Sequence, residues 1–98
     1  MVLSRTEERF SLSQDVFFLN TITKTLNLSL GGMQIVTKGS IPTEHLSIGL
    51  QLSDSIFIQL FGEPVWNKVL SDGKYIYGVR FVDLSKEARI TLEEYLLG

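Results

Sequence analysis

The 98-residue chain contains no cysteine and only two prolines. The absence of cysteine excludes disulfide frameworks, thiolate zinc sites and cysteine nucleophiles. No apolar run approaches the roughly 20 residues that span a bilayer, and residues 1–5 do not combine a basic segment with an apolar core. We therefore expect a cytoplasmic protein without membrane insertion.

Positive charge is also scarce, because 9 lysines and arginines face 11 acidic residues and the net charge is -2. This balance argues against binding to a nucleic acid polymer, which needs many cations to neutralise phosphates. A small anionic ligand held by two or three arginines stays compatible with it.

Signals for catalysis are equally sparse. The single histidine, His45, lies in a predicted loop, and no metal-binding spacing or nucleophile elbow accompanies it. Gly31 and Gly32 are not followed by the lysine and hydroxyl of a phosphate loop. The sequence therefore predicts a protein that is not an enzyme, with no catalytic residue, metal or cofactor.

Most of the chain alternates apolar and polar residues with the period of two that is typical of strands. Asp72-Gly73 between two such runs predicts a hairpin turn, and Gly62-Glu63-Pro64 predicts a break. The predicted runs are 10–19, 26–30, 33–38, 46–52, 56–61, 65–70 and 75–82. About six or seven short strands favour an all-β fold, a small antiparallel barrel.

The C-terminal segment alone has helical periodicity. Asp83 and Ser85 are candidate N-caps, and Leu84 can staple the apolar stripe of the helix to the sheet. We expect one domain over 1–98, with a mobile arm at 1–9, a barrel at 10–82 and a helix at 85–97.

The segment 27–32 combines polar side chains with two glycines. Leu26, Leu28 and Leu30 at spacing two predict that Asn27 and Ser29 lie together on the opposite face of a strand. Two glycines allow a ligand to approach the main chain. The same composition is typical of a hairpin turn, so the segment by itself supports both interpretations.

Two motifs resolve this ambiguity when they are considered together. Arg5-Thr-Glu-Glu-Arg9 matches RxxxR, and Asn27-Leu-Ser-Leu-Gly-Gly32 matches (D/N)xSxxG, with 17 residues between them. In this order and spacing they resemble the PilZ domain family. Further matching segments are Gly49-Leu-Gln-Leu52, Tyr77-Gly-Val-Arg-Phe81 and Leu92-Glu-Glu-Tyr-Leu96.

The resemblance implies a six-stranded, PilZ-type split barrel with a C-terminal helix that binds cyclic di-GMP and relays the signal to an effector. It assigns Arg5 and Arg9 to clamping the nucleotide, and Asn27, Ser29 and Gly32 to the barrel side of the site. Guanidinium groups suit this role because they pair bidentately with phosphates and with the guanine edge. Ser4 replaces an arginine that many members carry, which favours one bound nucleotide over two.

Two alternatives to a nucleotide receptor belong to other function classes. A PilZ-like adaptor would bind protein only and leave the nucleotide site unused. An oligonucleotide-binding barrel would need a basic groove with exposed aromatics, and the acidic balance opposes it.

The segments 16–19 and 56–61 are apolar on both faces. The outer face of each therefore needs a cover, and the candidates are the helix, a second subunit in a homodimer, or an effector protein.

Overall fold

The computed structural model describes residues 9–97. Within them, six antiparallel strands close into a barrel in the order β1-β2-β3-β6-β5-β4. The elements are β1 (Asp15–Phe18), β2 (Thr21–Leu28), β3 (Gly32–Thr37), β4 (Leu46–Ser53), β5 (Ile56–Val69), β6 (Tyr75–Val82) and α1 (Lys86–Leu97). The predicted six-stranded barrel with a C-terminal helix is confirmed.

Alternation along the strands fills the barrel with apolar side chains. In β5, Ile58 and Leu60 are buried in the core. Phe57 and Phe61 lie on the outside with half of their surface exposed, so the helix, one of the three candidate covers, does not bury these two residues. Fully burying one leucine or isoleucine contributes about 1.5–3 kcal/mol, which makes this core the main source of stability.

The predicted break at Gly62-Glu63-Pro64 is wrong, because β5 continues through it for 14 residues. The first part of the strand pairs with β4 and the second with β6, and both pairings include Gly62. A Cβ at Gly62 would lie 2.6 Å from side chains of Ile48 and Val79. A register shift follows Pro64. Glycine, proline and bulge therefore bend the strand as it changes partner, without ending it.

The predicted Asp-Gly turn joins β5 to β6. Gly73 has a φ of 86°, which side chains rarely tolerate, and its N–H donates to the carbonyl of Leu70 at 3.0 Å. The Leu70 N–H donates in turn to the carbonyl of Lys74 at 2.7 Å. This turn fixes the register of the two strands that carry part of the site described below.

Helix α1 packs against one end of the barrel. Ser85 is its N-cap, since the Ser85 Oγ accepts a hydrogen bond from the Ala88 N–H at 3.1 Å. Leu92 is fully buried, and the Tyr95 hydroxyl lies 2.8 Å from the side-chain amide of Gln14. The helix therefore covers the end at which β1 begins. In residues 9–97 no helix combines the length and the apolar character required to span a membrane.

Candidate functional site

The segment before β1 runs beside β2. Phe10 and Leu28 exchange two backbone hydrogen bonds of 2.9 Å each. The Thr25 Oγ accepts from the Gln14 N–H at 2.9 Å and donates to the carbonyl of Leu12. The strand predicted from Phe10 begins only at Asp15. The consequence for the site is that the end of the predicted arm is attached to the strand that carries Asn27.

Arg9 and Asn27 are in direct contact. The Arg9 Nη1 donates to the Asn27 Oδ1 at 3.1 Å, with the arginine exposed and the asparagine half-buried. The two predicted halves of the site are therefore adjacent. Arg5, the other predicted clamp, lies outside the described residues.

The Ser29 side chain forms hydrogen bonds with the backbone of the turn between β2 and β3. Its Oγ accepts from the Gly32 N–H at 3.1 Å and from the Gly31 N–H at 3.3 Å, and it donates to the Gly32 carbonyl. The Ser29 N–H also donates to that carbonyl at 2.8 Å. With 0 % of its surface exposed, Ser29 holds the turn closed rather than presenting a hydroxyl to solvent.

The prediction that Ser29 lies on the same face as Asn27 is therefore wrong, and the geometry of β2 explains the difference. The pairing of β2 with β3 shifts register between Thr25 and Asn27, so Thr25 is buried and Leu26 is 44 % exposed. The strand ends at Leu28. Beyond that residue strand alternation no longer applies, and Ser29 turns inward while Asn27 stays at the surface.

Position 32 requires glycine because β3 and β6 approach each other closely there. A Cβ at this position would overlap the carbonyl oxygen of Val79 and come within 3.3 Å of the Arg80 Cα. The neighbouring Gly31 carbonyl accepts from the Phe81 N–H at 2.9 Å. Gly32 thus lets the start of β3 lie against β6.

A second guanidinium lies beside this glycine. Arg80 of β6 pairs in register with Gly32 on one side and with Glu63 of β5 on the other. The Arg80 Nη2 forms an ion pair with a Glu63 carboxylate oxygen, and the His45 Nε2 lies 3.7 Å from the other oxygen. Glu63 therefore offsets the charge of an exposed arginine next to the predicted site.

A row of outward-facing residues crosses four strands at the level of Asn27. Asn27 pairs with Gln34, Gln34 with Gly78, and Gly78 with Trp66. A Cβ on Gly78 would overlap the Trp66 indole, so the ring lies against the Gly78 backbone with 44 % of the residue exposed. An aromatic surface thus lies on the same face as the arginines.

Arg80 and Trp66 are not among the predicted site residues, because from sequence a single tryptophan on a strand more often serves packing. Their place depends on how β5 and β6 align with β3, and local alternation carries no information about that alignment. The register between these strands places both residues on this face, and the sequence alone does not give that register.

The side chains on this face are suited to binding a planar, anionic ligand. The residues that the structure describes contain no cluster of three or more histidine or acidic ligands. Guanidinium, carboxamide and indole groups on one face recognise phosphates and planar bases through paired hydrogen bonds and stacking.

Comparisons with known structures agree with this fold. Bacillus subtilis inhibitor of motility, MotI/DgrA, superposes with a TM-score of 0.79 at 18 % identity over 95 % of this chain and 49 % of that chain. YcgR from Escherichia coli in complex with c-di-GMP gives 0.73 at 14 % identity over 91 % and 42 %. The PilZ domain of YcgR with c-di-GMP gives 0.66 at 13 % identity over 92 % and 86 %. The chain spans about half the length of MotI.

Sequence comparison supplies the family. No curated protein sequence matches the chain at a significant level. The model of the PilZ domain, by contrast, matches residues 4–98, which include both motifs. The chain therefore belongs to the PilZ domain family.

Proposed function

We propose that this domain binds cyclic di-GMP on the face formed by β2, β3, β6 and β5, and that binding is relayed to an effector protein. The observation that carries the proposal is the contact of Arg9 with Asn27, which joins the two family motifs. Arg80 beside Gly32 adds a further cation to this face. The relative YcgR, which shares the fold, is described in complex with c-di-GMP.

In the proposed complex, Arg9 exchanges its contact with Asn27 for a ligand phosphate or guanine edge. The Asn27 Oδ1 then accepts hydrogen bonds from guanine N–H groups. Arg5, four residues before Arg9, is the proposed second clamp. A nucleotide that engages both arginines would order the N-terminal arm on the barrel, and this change is the proposed signal.

Ser29 and Gly32 have a positioning role in this proposal. Ser29 holds the turn that follows Asn27, and Gly32 permits the approach of β6 that brings Arg80 to the site. Ser29 thus acts on the ligand through the shape of the turn, and Gly32 acts through the position of β6.

Trp66 supplies a stacking surface for a guanine base. The single tryptophan of the chain is partly exposed in the row that contains Asn27. Stacking of a base on an exposed aromatic ring contributes about 1–3 kcal/mol, and it gives the binding reaction a fluorescence signal.

We place the domain in the cytoplasm, where a second messenger would reach it, with no catalytic step of its own. The proposed outputs are control of motility, biofilm or exopolysaccharide. MotI, named as an inhibitor of motility, is the relative that favours the first of these. A homodimer is the proposed partner for the half-exposed Phe57 and Phe61, and an effector protein is the second proposed partner of the domain.

Isothermal titration with cyclic di-GMP tests the proposal. We expect saturable heat for the wild type and a loss of affinity of about ten-fold or more for each of Arg5→Ala and Arg9→Ala, because a charge-assisted hydrogen bond contributes about 1.5–3 kcal/mol. Arg89→Ala is the matched control, since Arg89 is an exposed arginine on α1. A folded wild type that gives no heat at tens of micromolar nucleotide would support the protein-only adaptor instead.

A further inference from the structure

A groove of about 680 Å³ extends from the β1–β2 turn along β2 as far as Leu26. We name it the hairpin groove. Its walls are formed by the β1–β2 hairpin, by the end of β3 with the loop that follows, and by Lys74 in the β5–β6 turn. The residues used below are Leu19, Ile22, Leu26, Lys24, Lys38 and Lys74.

The turn of the hairpin presents a leucine in a conformation that leucine disfavours. Leu19 and Asn20 link the last pair of the hairpin, with φ of 49° and 60°. This two-residue turn calls for left-handed backbone at both positions, where glycine, asparagine and aspartate are preferred. Leu19 is 55 % exposed, so burial in the core does not compensate for its strained backbone.

Apolar side chains continue from the turn along the outside of β2. Ile22 is 67 % exposed and Leu26 44 % exposed, and both line the hairpin groove. The register shift after Thr25 is what places Leu26 outside the barrel. A concave surface with several exposed apolar side chains is typical of a site that binds another molecule.

All charged residues that line the groove are lysines. Lys24, Lys38 and Lys74 line it, whereas the lining contains no aspartate or glutamate among the residues the structure describes. Lys24 pairs with Asp15 at 2.5 Å and Lys74 with Asp72 at 3.9 Å, both at the surface. Exposed pairs of this kind are weak, so both lysines can exchange partners. The local charge contrasts with the net charge of -2 for the whole chain.

We infer that the hairpin groove docks an acidic segment of a protein partner, with one or two apolar side chains of that segment seated between Leu19, Ile22 and Leu26 and its carboxylates meeting the lysines. A concave lining favours a peptide segment over a flat anionic membrane surface. The inference rests on the proposed function only in identifying this partner as the effector. The groove extends along β2 as far as Leu26, but Arg9, Asn27 and Arg80 are not part of its lining, so we expect nucleotide and partner to occupy adjacent, separate surfaces.

Peptide titration followed by NMR tests the docking without nucleotide. The probe is a short synthetic peptide that alternates leucine and glutamate, and its control alternates leucine and lysine. We expect the acidic peptide to shift amide signals in 18–26 and 36–41, and the basic peptide to leave them unchanged. No shift at millimolar acidic peptide, equal shifts with the basic peptide, or shifts caused equally by anionic phosphatidylglycerol vesicles would overturn the inference.

Leu19→Asn separates docking from folding, because asparagine accepts the left-handed backbone more readily than leucine. We expect an unchanged or higher Tm together with weaker binding of the acidic peptide, by about ten-fold for the loss of one apolar anchor. Lys38→Glu should also weaken it, and Lys86→Glu on α1 is the matched control. Peptide affinity that is unaltered in Leu19→Asn and Lys38→Glu would overturn the inference.

Cyclic di-GMP titration of the same variants keeps the two proposals apart. We expect Leu19→Asn to bind nucleotide as the wild type does. If the wild type gives no heat with nucleotide while the acidic peptide still shifts the groove signals, the receptor proposal fails and the docking inference stands. If the nucleotide binds but the acidic peptide shifts no groove signals, the receptor proposal stands and the docking inference fails.

Discussion

Arg9 donates a hydrogen bond from its guanidinium to the carboxamide oxygen of Asn27, 18 residues further along the chain. The backbone pairing of Phe10 with Leu28 brings the two residues together before any ligand is considered. The geometry thus places one residue of each family motif in the same contact, and this contact can be tested by mutation.

A double-mutant cycle of Arg9→Ala and Asn27→Ala measures the coupling of this pair in nucleotide binding. We expect each single variant to weaken cyclic di-GMP binding by about ten-fold or more, and the double variant to lose less than the product of the two, because both act on the same ligand groups. Unfolding free energies should change by no more than about 0.5 kcal/mol for Arg9→Ala, since Arg9 is exposed. Strictly multiplicative losses would argue against a shared site.

Ser29→Ala tests whether the serine serves the turn or the ligand. Removing the hydroxyl leaves the Gly31 and Gly32 N–H groups without their side-chain acceptor, so we expect a loss of about 1–3 kcal/mol in the free energy of unfolding, measured by urea denaturation. Ser40→Ala, at an exposed position, is the control and should be neutral. Unchanged stability with a large loss of nucleotide affinity would instead mean that Ser29 contacts the ligand directly.

Gly32→Ala and Gly39→Ala form a matched pair of glycine substitutions. A methyl group at Gly32 would overlap the Val79 backbone carbonyl, whereas at Gly39 it would meet nothing within 4 Å. We expect thermal denaturation to show severe destabilisation for Gly32→Ala. For Gly39→Ala we expect no loss, or a gain of about 0.4–1 kcal/mol from the stiffer unfolded chain. Similar melting curves for the two variants would contradict the close approach of β3 and β6.

Glu63→Gln tests the charge balance around Arg80. The substitution removes a negative charge and frees the guanidinium from its ion pair, and the proposed ligand is an anion. We expect cyclic di-GMP affinity to rise by about two- to ten-fold at low salt, with a smaller gain at high salt because screening weakens exposed charges. Glu94→Gln on α1 controls for net charge. Equal affinities of Glu63→Gln and wild type at low salt would place Arg80 outside the binding face.

Local patterns predicted the parts of the fold that depend on local chemistry. Alternation separated Ile58 and Leu60 from Phe57 on opposite faces of one strand, as the structure has them, without showing which face is the core, and the Asp72-Gly73 pair identified the β5–β6 turn. These predictions succeeded because the side-chain period and the turn conformation are properties of a few consecutive residues.

Features set by pairing between distant strands were not predicted. The bulge after Thr25 exposes Leu26, and the end of the strand at Leu28 turns Ser29 inward. Likewise, β5 passes through Pro64 because it has a second partner strand there. Neither effect has a signal within the segment itself, since each depends on which strand lies alongside and in what register.

Closure of the barrel has a consequence for folding. Four of its six seams join strands that follow each other in sequence, and two, β1 with β4 and β3 with β6, join strands that do not. Such non-local pairings are slow to form, because the loop entropy must be overcome before the contacts stabilise. The Gly32–Arg80 pair belongs to one of these late seams. We therefore expect the proposed binding face to be completed late in folding, so that a partly folded chain would not bind the nucleotide.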